Sequence, residues 1–457
     1  MRLYTTTNGV EYNSFLDCII AEKKSVVDFD PFAVMEFLTF GSVYGNKTFF
    51  KNIKKETTHQ PYRLDEDMGL VSATKKDKNP LRQEQSVNAK EAMKLMIDFF
   101  VRRKKWLTVQ KVSVDLTGGI DSRLIASILL YLDIPFQVVF SMSSGSEGEL
   151  KIVGKLTDEV NLPLKVIPSA DSYSSKEEIE KLIKLGDGQW DPTGLRSLYN
   201  SQHWRKIQGY DLALTGVGGE LYKDFWWLQD LPFYRSSRPD FDRLLSMRMY
   251  PSTVPEELLG IAFEQNQDDY LRDFKSHLSF YHRETNTQTY DQVYYHLRIK
   301  EQISVLSHAS ATFLPVWSPL LDPELLRIGY NLRRRDRFLS WFHRTAVTEC
   351  APALSKISTT DGGMTVSKRQ VNVASDMIKF IRHKSGRVLS KLKKDGSKTE
   401  KMRISDPIFR DEICGSIQNL KKVNILSEHA PDSPEMYSEN LHGRLVLLGY
   451  LAGLVDA

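Results

Sequence analysis

The chain has 457 residues, is 41% hydrophobic and carries a formal charge of +4, so it holds apolar material for more than one core and disorder throughout is excluded. The small positive excess does not by itself demand nucleic acid or a membrane surface. Three cysteines, Cys18, Cys350 and Cys414, stand far apart with no Cys-x-x-Cys; this disfavours a disulfide framework or a zinc site and fits a reducing compartment. No apolar signal core opens the chain and no apolar run reaches membrane-spanning length without charge, so a cytoplasmic location is expected.

Residues 1–75 mix short strand-like stretches with a helical candidate, PFAVMEFLTFG, and read as a small α+β region. The polar, Pro-broken stretch that follows places a linker at 76–87, with one large domain over 88–457. Ala89 to Trp106 carries Ala92, Met93, Leu95, Met96, Phe99 and Phe100 at helical spacing. Strands are predicted from Val112, over Phe136–Met142, over LPLKVIP and over Tyr210–Gly216, with the helix ELKIVGKLTDEV between the second and third. This alternation means an α/β fold with a doubly wound parallel sheet. From about Asp240 the pattern is mostly helical. Within it, 366–403 is a strongly basic insertion, read as a solvated segment or as a surface for an acidic partner. The C-terminal RLVLLGYLAGLV reads as a buried helix, with a homodimer seam as the alternative.

Leu116-Thr117-Gly118-Gly119-Ile120-Asp121-Ser122 falls at the carboxyl end of the first parallel strand, where open α/β sheets bind ligands. The two glycines let backbone N–H groups approach an anion, Thr117 and Ser122 add hydroxyls, and the next helix contributes its positive end. A carboxylate inside a phosphate cradle would repel the ligand unless a divalent cation lay between them, which makes Asp121 a candidate magnesium ligand. Local chemistry equally allows a plain tight turn with Asp121 as helix N-cap.

LTGGIDSR resembles the SGGxDS loop of the PP-loop (N-type) ATP pyrophosphatases, of the adenine nucleotide alpha hydrolase type. Its surroundings resemble the synthetase domain of asparagine synthetase and β-lactam synthetase. Phe29–Glu56 resembles the segment before that domain, LALTGVGGELYKDFWW its second glycine motif (LSGxGxDELFGGY), WSPLLDPELLRIGYNL its PFLDxxL segment, and FLSWFHRTAVTECAPALSKI its KxxLRxA helix. The resemblance implies ATP with Leu116, Phe140 and Ser141 around the adenine. Gly118, Gly119 and Ser122, with Thr117 beside them, would hold the β- and γ-phosphates, and Thr215, Gly216 and Gly218 would line the α-phosphate and acyl side. Asp121 and Glu220 would share Mg2+. A small-molecule or peptide carboxylate would attack the α-phosphorus, pyrophosphate would leave, and ammonia or an amine would displace AMP to give an amide.

The departures are specific. Amidotransferase members begin with a cysteine, whereas position 2 is Arg2 and the first cysteine is Cys18, so no glutaminase is expected. The second motif offers one acid, Glu220, for an Asp-Glu pair, and Val217 stands where members often carry Glu or Tyr; valine cannot take a proton. Ser340 stands at the family's lysine. A replacement cation is sought among Arg123, Arg337, His343 and Arg344, and Arg suits phosphate by its fork geometry; a solvated basic face is the plainer reading of the same residues. The catalytic set is thus Arg123, Arg344 and Arg337. Trp190–Pro192 and Tyr199–Trp204 read as acyl pocket or as core, and His308 as a packed histidine. Two other functions stay open: a different PP-loop activating enzyme, such as an RNA-modifying one, and a non-catalytic descendant that binds nucleotide or a partner.

Overall fold

Short apolar stretches between polar breaks make short strands, and the first of these build a small antiparallel sheet. The computed structural model describes residues 2–456 other than 24–27, 68, 74–79, 144, 170–171, 224–237, 256–257, 261–266, 361–362, 364, 366–370, 373, 375–377 and 379–405. β1 (Arg2–Thr6), β2 (Glu11–Tyr12) and β3 (Ile53–Thr57) pair in the order β2-β1-β3, and β4 (Tyr62–Asp65) pairs with β5 (Gly69–Ser72). Between them lie α1 (Phe15–Ala21) and α2 (Pro31–Phe40). The sequence sets both ends of α2: Asp30 accepts the amides of Phe32 and Ala33, Pro31 takes the first position, and Gly41 closes the helix at φ +72°.

α3 (Ala89–Val109), capped by Asn88, leads into the main sheet. There β6 (Val112–Asp115), α4 (Asp121–Tyr131), β7 (Gln137–Ser141), α5 (Glu147–Glu159) and β8 (Leu164–Ile167) alternate as expected. α6 (Lys176–Leu185) and α7 (Pro192–Ile207) then return the chain to β9 (Leu212–Leu214). The sheet has five parallel strands in the order β10-β9-β6-β7-β8, where β10 is Val316–Trp317. Winding runs outward from β6 through β7 to β8 and then resumes on its other side with β9 and β10. The carboxyl ends of β6 and β9 therefore form the topological switch point, the place where open α/β sheets bind ligands.

Two large apolar clusters divide the chain differently from a cut at 76–87. The first covers the main sheet, α3, α4 and the helix Trp341–Cys350. The second joins Tyr4, Phe15, Phe37 and Phe49 to Ile179 and Leu195 and to the helices Pro407–Lys422 and Glu439–Asp456. The N-terminal region thus shares its core with the C-terminal helices, because too little apolar surface lies within 1–75 to close a core of its own. Residues 80–87 are also bound down: Leu81 is buried in the first cluster, Glu84 donates its amide to Asn331 Oδ1 at 2.7 Å, and Val87 bridges Leu332. The apolar C-terminal run is the expected buried helix, packed on 407–422. The basic insertion lies outside the described residues except for Val371, Asn372, Ala374 and Ile378. All three cysteines are free thiols, and among the described residues no helix is long and apolar enough to cross a membrane.

Candidate active site

At the switch point the two glycine loops press directly on each other. A Cβ on Gly216 would lie 2.4 Å from Ser122 N and 2.7 Å from Asp121 C, and a Cβ on Gly219 would lie 2.4 Å from the Asp121 carboxylate. Only glycine allows this approach. The first loop is folded by its own side chains: Thr117 N donates to Ser122 Oγ at 3.0 Å, and Gly119 N meets Thr117 Oγ1 at 3.3 Å. The second is held from the β10 side, where Thr215 N donates to Trp317 O at 3.2 Å and Ser318 Oγ donates to Val217 O at 2.6 Å. The segment that resembles PFLDxxL thereby fixes the loop beside it.

α4 begins at Asp121, with Ile120 as its N-cap and no side-chain cap hydrogen bond. Asp121 is therefore not the N-cap of a plain turn. Its carboxylate faces the second loop, where Lys223 Nζ stands 2.5 Å from Oδ2. His343 Nε2 lies 3.0 Å from Oδ1. Burial alone would raise the Asp121 carboxyl, but Lys223 and His343 outweigh it and hold the group far below the usual carboxylate range. Burial moves His343 the other way, below its ordinary value, against the pull of Asp121. The pair is an ionised aspartate beside a neutral imidazole. Glu220 accepts from Tyr294 Oη at 2.6 Å, and both acids act on the same phenol, which burial and these charges push well up.

The remaining sequence candidates fall in three places. Leu116 and Phe140 are buried at the strand ends, with Ser141 beside them at the end of β7. Gly118 is covered: its amide donates to Glu149 Oε1 at 3.0 Å, its carbonyl accepts from Thr360 N at 3.1 Å, and any Cβ there would overlap Thr360 Oγ1. Gly218 adopts φ +94° and turns the second loop into its 3-10 turn.

The arginines do not converge on the cradle as the sequence suggests. Arg123 is fully buried and gives its guanidinium to the carbonyls of Leu354, Ile357, Ser358 and Gly118 and to Thr365 Oγ1. It fastens Leu354, Ile357, Ser358 and Thr365 to the loop, and burial pushes it down to about 10. Arg337 is locked on Asp291 at 2.6 and 2.8 Å, with a further contact of 3.4 Å to Lys223 O. Arg344 is buried in the helix Trp341–Cys350. Ser340 sits at φ +56°, just before that helix. Sequence reasoning missed Lys223, Glu149 and Tyr294. Lys223 lies within the second glycine motif, three residues after Glu220, and that position was the one available signal. The aromatic group Tyr199, His203 and Phe313 packs together, and His308 Nδ1 meets Ser304 O at 2.7 Å, as a packed histidine does.

Magnesium with a nucleotide needs one or two carboxylates and borrows phosphate oxygens for the rest. Asp121 and Glu220 both act on the Tyr294 phenol, and one Glu220 oxygen is bound to it, so two carboxylates stand near each other at the loops and this donor set fits such an ion. Among the described residues no group of three or more His, Cys, Asp or Glu could hold a metal unaided.

No protein-family model matches the chain, and no curated protein does. Among the solved structures that match is the U34-tRNA thiolase NcsA from Methanococcus maripaludis with its 4Fe–4S cluster. It shows 16% identity and a TM-score of 0.21, over 45% of this chain and 80% of that one. Likeness at this level carries no conclusion about this chain.

Proposed function

We propose that the chain is an ATP-dependent ligase that activates a carboxylate as an acyl-adenylate and passes the acyl group to ammonia or an amine. The observation that carries this reading is the pair of glycine loops in contact across the β6/β9 switch point, with an ionised Asp121 between them. Backbone amides, hydroxyls and an uncapped helix start are the groups that neutralise phosphate oxygens. In the reaction, a carboxylate oxygen bonds to the α-phosphorus, the bond to the bridging oxygen breaks, and its electron pair leaves with pyrophosphate. The amine then bonds to the acyl carbon, loses a proton, and releases AMP.

In this reading Thr117, Gly118, Gly119 and Ser122 hold the β- and γ-phosphates, while Thr215, Gly216 and Gly218 line the α-phosphate. Leu116, Phe140 and Ser141 bracket the base. Asp121 and Glu220 would hold Mg2+, which supplies positive charge to the departing pyrophosphate. Glu149 must leave the Gly118 amide for phosphate to reach it. The chain's work is orientation and charge compensation in a crevice that protects the adenylate from water.

The test is exchange of labelled pyrophosphate into ATP, screened with carboxylic acids, sugar acids and peptides. Carboxylate-dependent exchange, followed by amide formation with ammonia or an amine, is expected, and glutamine should be neither hydrolysed nor used. ATP binding with no exchange for any carboxylate would overturn the ligase reading in favour of a binding role.

A further inference from the structure

We infer that Lys223 is the cation that faces the leaving pyrophosphate, in place of the lysine whose family position holds Ser340; this rests on the activation reading above. The elimination is geometric. The guanidinium nitrogens Nη1 and Nη2 of Arg123 are bound to backbone carbonyls and a threonine hydroxyl. Arg337 is bound to Asp291 through both nitrogens. Ser340 has no charge to offer, His343 is fully buried with Nε2 3.0 Å from Asp121 Oδ1, and Arg344 is buried in the helix Trp341–Cys350.

Lys223 differs from all of these in position. Its ammonium already stands 2.5 Å from the Asp121 carboxylate, inside the cradle and on the second loop's side. Its backbone is anchored: the amide donates to Glu220 O at 3.3 Å, and its carbonyl meets Arg337 at 3.4 Å, an arginine itself locked by Asp291. An anchored backbone with a flexible four-carbon stem lets an ammonium shift by a few ångströms while its origin stays fixed. The side chain keeps 16% of its exposure, so it is not sealed in the core. A dehydrated pocket releasing pyrophosphate needs such a positive charge. Lys223 on Asp121 is then the resting pair, and phosphate oxygens are the second partner within reach.

The test uses binding by the purified full chain, which needs no knowledge of the carboxylate. Affinities for AMP, for inorganic pyrophosphate with Mg2+, and for ATP with Mg2+ are measured by calorimetry on wild type, Lys223→Met and Lys223→Arg, with folding checked by circular dichroism. Lys223→Met should weaken pyrophosphate tenfold or more and ATP similarly, and leave AMP within about twofold, as expected for one lost charge-assisted contact. Lys223→Arg should recover most of the pyrophosphate affinity. Unchanged pyrophosphate binding in Lys223→Met overturns the assignment alone, and equal loss of AMP and pyrophosphate assigns Lys223 a purely structural role. A wild-type chain that binds neither AMP nor pyrophosphate overturns the activation reading and this assignment with it.

Discussion

Gly216→Ala is the sharpest probe of the switch point. The added methyl would meet Ser122 N at 2.4 Å and Asp121 C and Ser122 Cα at 2.7 Å, all backbone atoms of the opposite loop. Comfortable contact is roughly 3.5 Å, so the two loops must part by about 1 Å. No side chain can rotate away to absorb this. Overpacking of this kind costs about 1–3 kcal/mol of stability, and a displacement of about 1 Å between reacting groups costs on the order of a hundredfold in rate. Urea denaturation should show the first effect and pyrophosphate exchange the second. Gly154→Ala is the control, since Gly154 lies in α5 with nothing within 4 Å of its Cβ direction; it should be neutral or stabilising by about 0.5–1 kcal/mol. Wild-type stability and exchange in Gly216→Ala would refute the loop-contact argument.

Arg123→Ala should act on folding more than on chemistry, lowering unfolding free energy by about 3 kcal/mol or more, because several carbonyls lose their shared donor; a stable variant deficient only in exchange would restore Arg123 as a catalytic residue. Glu149→Ala removes the carboxylate that occupies the Gly118 amide and should raise pyrophosphate affinity about threefold to tenfold; calorimetry showing weaker binding would mean that Glu149 shapes the cradle instead. Burial, with help from Arg2, pushes His308 down to about 3. The native state thus holds this imidazole neutral, and its contribution is present above about pH 6.5 and lost as pH falls below that value. Between pH 6.5 and 5 the wild type should lose about 2 kcal/mol from this group, and His308→Gln should show a correspondingly flatter slope by urea denaturation; parallel slopes would refute it.

What could be read from sequence was whatever local chemistry determines. Four of the five main-sheet strands are apolar runs between turn residues, and Gly118, Gly119 and Gly216 mark the loops because a close backbone approach admits no other residue. β10 escaped because Val316–Trp317 is two residues long and carries no periodicity. An arginine beside a phosphate-like loop looks like a ligand, and nothing local reveals that Leu354, Ile357, Ser358 and Thr365 will take up Arg123. Lys223 was overlooked for the opposite reason: one lysine within a motif is indistinguishable from a solvated one until Asp121, over a hundred positions earlier, is placed against it. Polarity over 80–87 likewise does not disclose pairing with Asn331 and Leu332.

The core shared by the two ends of the chain has a consequence for its synthesis. Tyr4, Phe15 and Phe49 leave the ribosome early, but their partners Phe409, Ile413, Leu445 and Leu448 are among the last residues made. At roughly 5–20 residues per second, the wait is on the order of twenty seconds to more than a minute. Throughout it the first strands and α1 lack the cover of the two C-terminal helices, while the main sheet can already close on residues up to Trp317 and beyond. A nascent chain stalled before Pro407 would therefore carry a closed main sheet with its two glycine loops and a partly uncovered, sticky N-terminal face, a species prone to aggregate unless a chaperone holds it or a protease removes it.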